Sequence, residues 1–338
     1  MARRGRFGRV IGLVGALVVA GIGWVAGPVR AATACTVPPP VVTIDPPGFY
    51  DDPAGYEAAV KPMRGFISQL NQAADKAQWS CVSDLLSAWA QADALMGPIA
   101  GYQGYYERSW AGTDFAFVLL RMPKGSQPAP DRMRTISAWL DRIAVATRDA
   151  DAINHLHNNL VYWAGLNLAA IGTVTQRPDL IDAGIARARE GIHDIGPHGE
   201  LQRELKRGDL ALHYHDFALL PLVFTAELAQ RRGIDLYHEN QGAIGRLANL
   251  VIRGVQDIGT FAEVSPVKQK LFAWTFQDEL AWAEPYYARV RDGRLVAILA
   301  ARRPIREWRL GGDVSAGWGV ALQRGAAPVA AAGQENGQ

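Results

Sequence analysis

From Leu219 to Ala226 the chain reads Leu-Leu-Pro-Leu-Val-Phe-Thr-Ala, with Leu219, Leu222, Val223 and Ala226 at intervals of three and four. Leu247, Leu250, Val251 and Gly254 repeat that spacing, and Leu85, Leu86, Trp89 and Ala92 give a third stripe. Residues so spaced share one face of a 3.6-residue helix, so each run predicts a helix with one side turned to a core. Met96-Gly97-Pro98, Met122-Pro123-Lys124-Gly125, Arg177-Pro178, Ile195-Gly196-Pro197 and Arg232-Gly233 break the runs into pieces of ordinary helix length. Strand-like alternation is nearly absent; the candidates lie near Ile44 and in Arg306–Leu310. The pattern predicts one large all-α domain. No motif recurs with matching letters, which excludes an obvious solenoid, yet hairpin-paired helices can close into an α/α toroid without such repeats.

Outward from this body, both ends read differently. Arg3, Arg4, Arg6 and Arg9 precede an uncharged stretch from Val10 to Val29, and small residues follow at Ala31–Ala34. This order predicts a secretory signal peptide over residues 1–31 and a periplasmic or secreted protein with no stable membrane insertion after cleavage. A retained membrane anchor is the alternative, opposed by Pro28 and the glycines. Pro38-Pro39-Pro40 and Asp45-Pro46-Pro47-Gly48 make residues 32–50 an extended lead-in. The folded domain is expected over 51–323, and the small residues of 324–338 should form a loose tail. The formal charge is +2, but the first 31 residues carry five arginines and no acid, leaving −3 for the remainder. No basic excess points to nucleic acid. The two cysteines of an exported chain, Cys35 and Cys81, invite a disulfide worth about 4 kcal/mol by loop closure; two unpaired thiols, with Cys81 buried, are the alternative.

Two segments concentrate polar side chains: Asn154–Trp163, and Arg203–Asp216. Four of the seven histidines lie there, but His155 and His157, like His213 and His215, are two apart and diverge on a helix. No metal is expected. There is no Gly-x-Ser-x-Gly elbow, P-loop or Rossmann glycine pattern, and no cofactor is expected either. Arg207 and Tyr214, seven apart, would return to one helix face about 10 Å apart along the axis if the segment were helical throughout.

These segments resemble the exported alginate (poly-mannuronate) lyases, a family with an α/α toroid fold. Asn158-Asn159-Leu160-Val161-Tyr162-Trp163 is similar to that family's Asn-Asn-His-x-Tyr-Trp. Glu204-Leu205-Lys206-Arg207-Gly208 through Ala211-Leu212-His213-Tyr214-His215-Asp216-Phe217-Ala218-Leu219 is similar to its second motif. Leu280–Tyr286, Arg303-Pro304 with Arg309-Leu310-Gly311-Gly312, Pro46–Tyr50 and Leu86–Ala90 extend the resemblance, in order, over most of the chain.

The resemblance implies β-elimination beside a uronate carboxylate, in a β-1,4-linked polymer containing mannuronate or glucuronate. It assigns carboxylate neutralisation to Asn159 and Arg207 and proton transfer to Tyr214. An anionic polysaccharide is the implied partner. Arg203, Arg108, Trp110, Trp163, Tyr162, Tyr105, Tyr106 and His213 are candidates to line its path, each with a plain structural alternative. One departure stands out. The family carries a histidine where this chain has Leu160, which has no proton to transfer. His157, three residues earlier, is a candidate substitute base. The alternative reading is a degenerate, polysaccharide-binding or export-associated protein that keeps the cleft without turnover.

Overall fold

The computed structural model describes residues 35–270 and 279–323. The expected signal segment and the tail at 324–338 lie outside the described residues. From Cys35 to Gly48 the chain has no regular structure. It is fixed by Leu95 and Gly97, which donate backbone bonds of 2.8 Å each to Val41 and Val42. The strand expected near Ile44 is absent: the segment is extended, with Ile44 buried.

Helix α1 (Pro53–Asp75) starts where Asp52 accepts a bond from the Gly55 amide and Pro53 occupies the first turn. It is followed by α2 (Trp79–Gln91), α3 (Tyr102–Arg121), α4 (Pro130–Arg148), a single turn α5 (Asp151–Asn154), α6 (Asn159–Thr175) and α7 (Pro178–Asp194). Then come another single turn, α8 (Gln202–Leu205), α9 (Ala211–Gln230), α10 (Glu239–Gln256), α11 (Ala283–Val290), α12 (Arg294–Arg302) and α13 (Val314–Trp318). All five breakers of the sequence fall at or between helix ends.

The fold is an α/α toroid in two layers. α3, α6 and α9 are buried on nearly every side, whereas α1, α4, α7 and α10 bury one stripe each. On α4 that stripe is Ile136, Trp139, Leu140, Ile143, Ala144 and Thr147, the three-and-four spacing of an outer helix. α6 sits between α3 and α9 and packs outward on α4 and α7. Its approach to α7 is close because a Cβ on Gly184 would lie 2.5 Å from the Gly165 carbonyl oxygen.

Arg306–Leu310 does form a strand, but only briefly. β1 (Arg306–Glu307) pairs antiparallel with β2 (Gly312–Asp313), with a 3₁₀ turn at Trp308–Leu310 between them. Gly311 and Gly312, at φ +78° and +88°, close this ribbon. It docks through Gly311 N–H to Asp114 (3.1 Å) and Asn71 to the Trp308 carbonyl (3.2 Å). The loop thus delivers Trp308 and Arg309 to the inner helices. At the other end a disulfide joins Cys35 to Cys81 at the start of α2, the first of the two alternatives for these cysteines.

Candidate functional site

The two asparagines of Asn158-Asn159 have separate jobs. Asn158 is the N-cap of α6, its side chain accepting from the Leu160 amide at 3.0 Å. Asn159, buried, gives both its backbone N–H and its Nδ2 to Glu204 Oε1, each at 2.9 Å. Glu204 therefore fixes the amide plane of Asn159. Burial raises the Glu204 pKa, and the Asn159 bonds oppose that rise. Its second oxygen has no hydrogen-bond partner and lies 3.9 Å from Arg207 Nε.

Arg207 and Tyr214 come together by a route other than the continuous helix. After α8 the chain makes a 3₁₀ turn at Gly208–Leu210, with Gly208 at φ +63°, before α9 begins. Gln269 braces this turn by donating to the Gly208 carbonyl (3.0 Å) and accepting from Leu212 N–H (2.8 Å). The Arg207 guanidinium carbon ends 4.2 Å from the centre of the Tyr214 ring, a cation–π contact. The Tyr214 hydroxyl lies 2.5 Å from that of Tyr50, which is 63% exposed in the lead-in turn. Burial is the main cause that raises the Tyr214 pKa above the ordinary phenol value; the Tyr50 bond adds to it and Arg207 opposes it. The phenol is protonated at neutral pH.

Asn158, Asn159, Arg207, Tyr214 and Tyr50 border one cavity of ≈ 640 Å³, which also receives Tyr106 and Trp110 from α3, Tyr56 and Arg64 from α1, His213 from α9, and Trp308 and Arg309 from the ribbon. Burial pushes the His213 imidazole down to about 4, so it is neutral at neutral pH. Arg309 is held by Glu307 at 2.9 Å and lies 4.6–5.4 Å from the rings of Trp308, Trp110, Phe217 and Trp163. Arg64 pairs with Glu107 at 2.8 Å, and Glu107 also accepts from Tyr56 at 2.7 Å. Among the described residues, no group of three or more His, Cys, Asp or Glu side chains is arranged to hold a metal ion.

Asn159, Arg207, Tyr214, His213, Trp110 and Tyr106 therefore share the cavity, and five other candidates lie outside its lining. Trp163 is 1% exposed, packed against Phe217 and 5.4 Å from Arg309, so it supports an arginine and does not border the cavity. Tyr162 is buried, with its hydroxyl on Asp194. Arg108 is buried, 5.4 Å over the Tyr105 ring, and neither residue borders the cavity. Arg203 stands exposed on α8 and does not border it either.

His157 is the sixth candidate outside it. It precedes the N-cap of α6 at φ +47°, so its three-residue spacing from Leu160 is not helical. Its ring is exposed and faces Glu190 at 3.9 Å, outside the cavity. Leu160 borders the cavity beside Leu156. Sequence reasoning overlooked Tyr50, Glu204 and Arg309, although each sat inside a quoted motif, and it overlooked Tyr56 and Arg64, which no motif marked.

Comparison with known proteins follows the same lines. The alginate lyase family model matches residues 36–261. A polysaccharide lyase of Stenotrophomonas maltophilia is 34% identical, covering 84% of this chain and 91% of its own. An alginate lyase of Pseudomonas aeruginosa is 32% identical, covering 74% and 70%. Among solved structures, alginate lyase A1-III from Sphingomonas species A1 matches with a TM-score of 0.72 at 26% identity, over 85% of this chain and 86% of that one. A tyrosine-to-phenylalanine variant of alginate lyase A1-III complexed with a tetrasaccharide gives 0.73 at 26% identity, over 86% and 87%. With two thirds of its length matched by one family model and relatives this similar along most of the chain, this protein belongs to the alginate lyase family.

Proposed function

We propose that the protein is an exported polysaccharide lyase that cleaves a β-1,4-linked uronate polymer by β-elimination, with Asn159, Arg207 and Tyr214 as the reacting set. The observation that carries this reading is the Arg207 guanidinium 4.2 Å over the Tyr214 ring, in the cavity that Asn159 also borders. Elimination requires the uronate carboxylate to take up charge while the C5 proton leaves and the O4 bond breaks. Arg207 offers a fixed cation and Asn159 the second N–H of an amide whose first is committed to Glu204. Tyr214 carries a proton at rest, which must leave before its oxygen can act on the C5 proton.

Taking the C5 proton needs the same oxygen as phenolate. The way out for its proton is the Tyr50 hydroxyl, 2.5 Å away and open to solvent. One oxygen then takes the C5 proton and returns it to O4. This single-sided transfer suits mannuronate or glucuronate, where both lie on one side of the ring, and disfavours guluronate, where they oppose. A site with no histidine at Leu160 lacks a group typically worth about 10²- to 10⁴-fold, so turnover is slow, not absent.

The test is to incubate the pure protein with poly-mannuronate, glucuronan and poly-guluronate and follow the ultraviolet absorbance of the 4,5-unsaturated product. Product should form from the first two and be lost in Tyr214→Phe. No product from any of the three sinks the reading.

A further inference from the structure

The solvent side of α1 carries Lys61, Arg64, Ser68 and Gln72, with Lys76 just past its end, a spacing of three and four that sets them in one line. Two further cavities open along that line, one at Lys61 and Arg64 and a second of ≈ 730 Å³ between Ser68, Gln72, Lys76 and the ribbon residue Arg306. Arg64 borders both of these and the cavity of Tyr214, and Trp308 borders the second and that of Tyr214. From Arg64 to Lys76 the line runs ~18 Å at helical rise, enough for several pyranose rings.

Its chemistry suits a polyanion. Arg64 is a fixed junction, pinned on Glu107 at 2.8 Å and on the Trp308 ring at 3.4 Å. Beyond it, the Arg306 side chain is 59% exposed, and Lys76 is exposed and makes no ion pair among the described residues. Asp75 is the single acid bordering the second cavity, and it is already held by Arg121 at 2.9 Å and Arg306 at 3.5 Å. Ser68 and Gln72, both exposed, present donors between the cations for sugar hydroxyls.

We propose that this groove is a second stretch of the polymer path, in which Lys76 and Arg306 hold uronate carboxylates several rings from the bond that breaks. The inference rests on the uronate-lyase reading and adds selection for long chains. Remote contacts of this kind act on binding and leave the chemical step alone.

The experiment compares poly-mannuronate with a mannuronate trimer, too short to reach from Tyr214 to Lys76. Lys76→Gln/Arg306→Gln should lower kcat/KM on polymer by roughly threefold to tenfold, from two exposed ion pairs, through KM, with the trimer unchanged. Ser68→Trp, an exposed substitution that fills the groove, should do the same. Titration calorimetry of polymer on the Tyr214→Phe background should show the matching loss of affinity. Equal losses on trimer and polymer, or polymer affinity unchanged in both variants, overturn the groove. A wild-type protein that yields no unsaturated product from either length overturns the lyase reading instead, and the calorimetric comparison still decides the groove.

Discussion

Leu160 sets the level of activity expected of this site. By the resemblance of its motif it stands where the family carries a histidine, and it borders the cavity beside Asn159 and Tyr214. His157 does not stand in for that group, since it faces Glu190 outside the cavity. With Tyr214 raised above the ordinary phenol pKa of about 10, the reactive phenolate is scarce at neutral pH. It grows about tenfold for each pH unit below that pKa. The rate of unsaturated-product formation should therefore climb steadily from pH 7 to 9. Leu160→His should raise the rate at pH 7 by about 10²-fold or more and flatten that climb. A wild-type profile that is already flat, or a histidine variant no faster than wild type, contradicts the assignment. Asn159, Arg207 and Tyr214, which border one cavity, were legible as a group because their motif letters resemble the family's. Trp163 and Tyr162 were misplaced because letters do not show which side of a fully buried helix meets a cavity. Glu204 was overlooked because a buried acid announces itself only through the Asn159 bonds it accepts.

At the scale of elements, periodicity and breakers located the helices, because burial of one stripe and the chain breaks at paired glycine and proline signals act within a few residues, even though Pro62 and Pro221 lie inside α1 and α9. They did not disclose the turn at Gly208–Leu210, where the helix pattern of the letters continues but the backbone reverses. That turn is what seats Arg207 on Tyr214. Gly208→Ala forces an L-residue to φ +63° with open space around it, so the cost is conformational, about 1–2 kcal/mol. Gly242→Ala in α10, at φ +75° and also uncrowded, should cost the same in denaturant midpoint. Only the Gly208 variant should lose kcat/KM; equal activity losses would show that Arg207 placement does not depend on this turn. A second device nearby is His215, which accepts from Leu201 N–H at 2.9 Å and donates through Nδ1 to the Ala211 carbonyl at 2.7 Å, clipping the start of α8 to α9. Burial holds its pKa down at about 4. The unfolded chain takes up this proton near pH 6.5 and the folded one only near 4, so stability is complete above 6.5 and falls as pH drops through that window. His215→Gln should reduce the slope of melting temperature against pH between 6.5 and 4; an unchanged slope would assign the acid sensitivity elsewhere.

For the whole molecule, the question is what holds the extended lead-in that brings Tyr50 to the mouth of the cavity. Its prolines made it legible as non-helical, but nothing in its letters reveals where it lies, since it is fixed by contacts with α2 and α3 that are distant in sequence. Two sets of bonds hold it. The Cys35–Cys81 disulfide, 46 residues apart in sequence, restricts the unfolded chain by about 4 kcal/mol in the loop-closure account. Nearer the site, Val41 and Val42 accept from Leu95 and Gly97, and the Asp45 carboxylate accepts from Ala100 and Gly101 N–H at 3.0 and 2.8 Å. The second set lies between the disulfide and Tyr50 and does not depend on the first. Cys35→Ser/Cys81→Ser should accordingly lower unfolding free energy by up to about 4 kcal/mol while kcat/KM at a temperature well below the melting point stays at the wild-type value. Denaturant titration and initial rates on poly-mannuronate measure the two separately. If the rate falls with the bridge while the protein remains folded, the disulfide itself positions Tyr50, and the backbone bonds to Asp45, Val41 and Val42 are too weak to hold the lead-in in place.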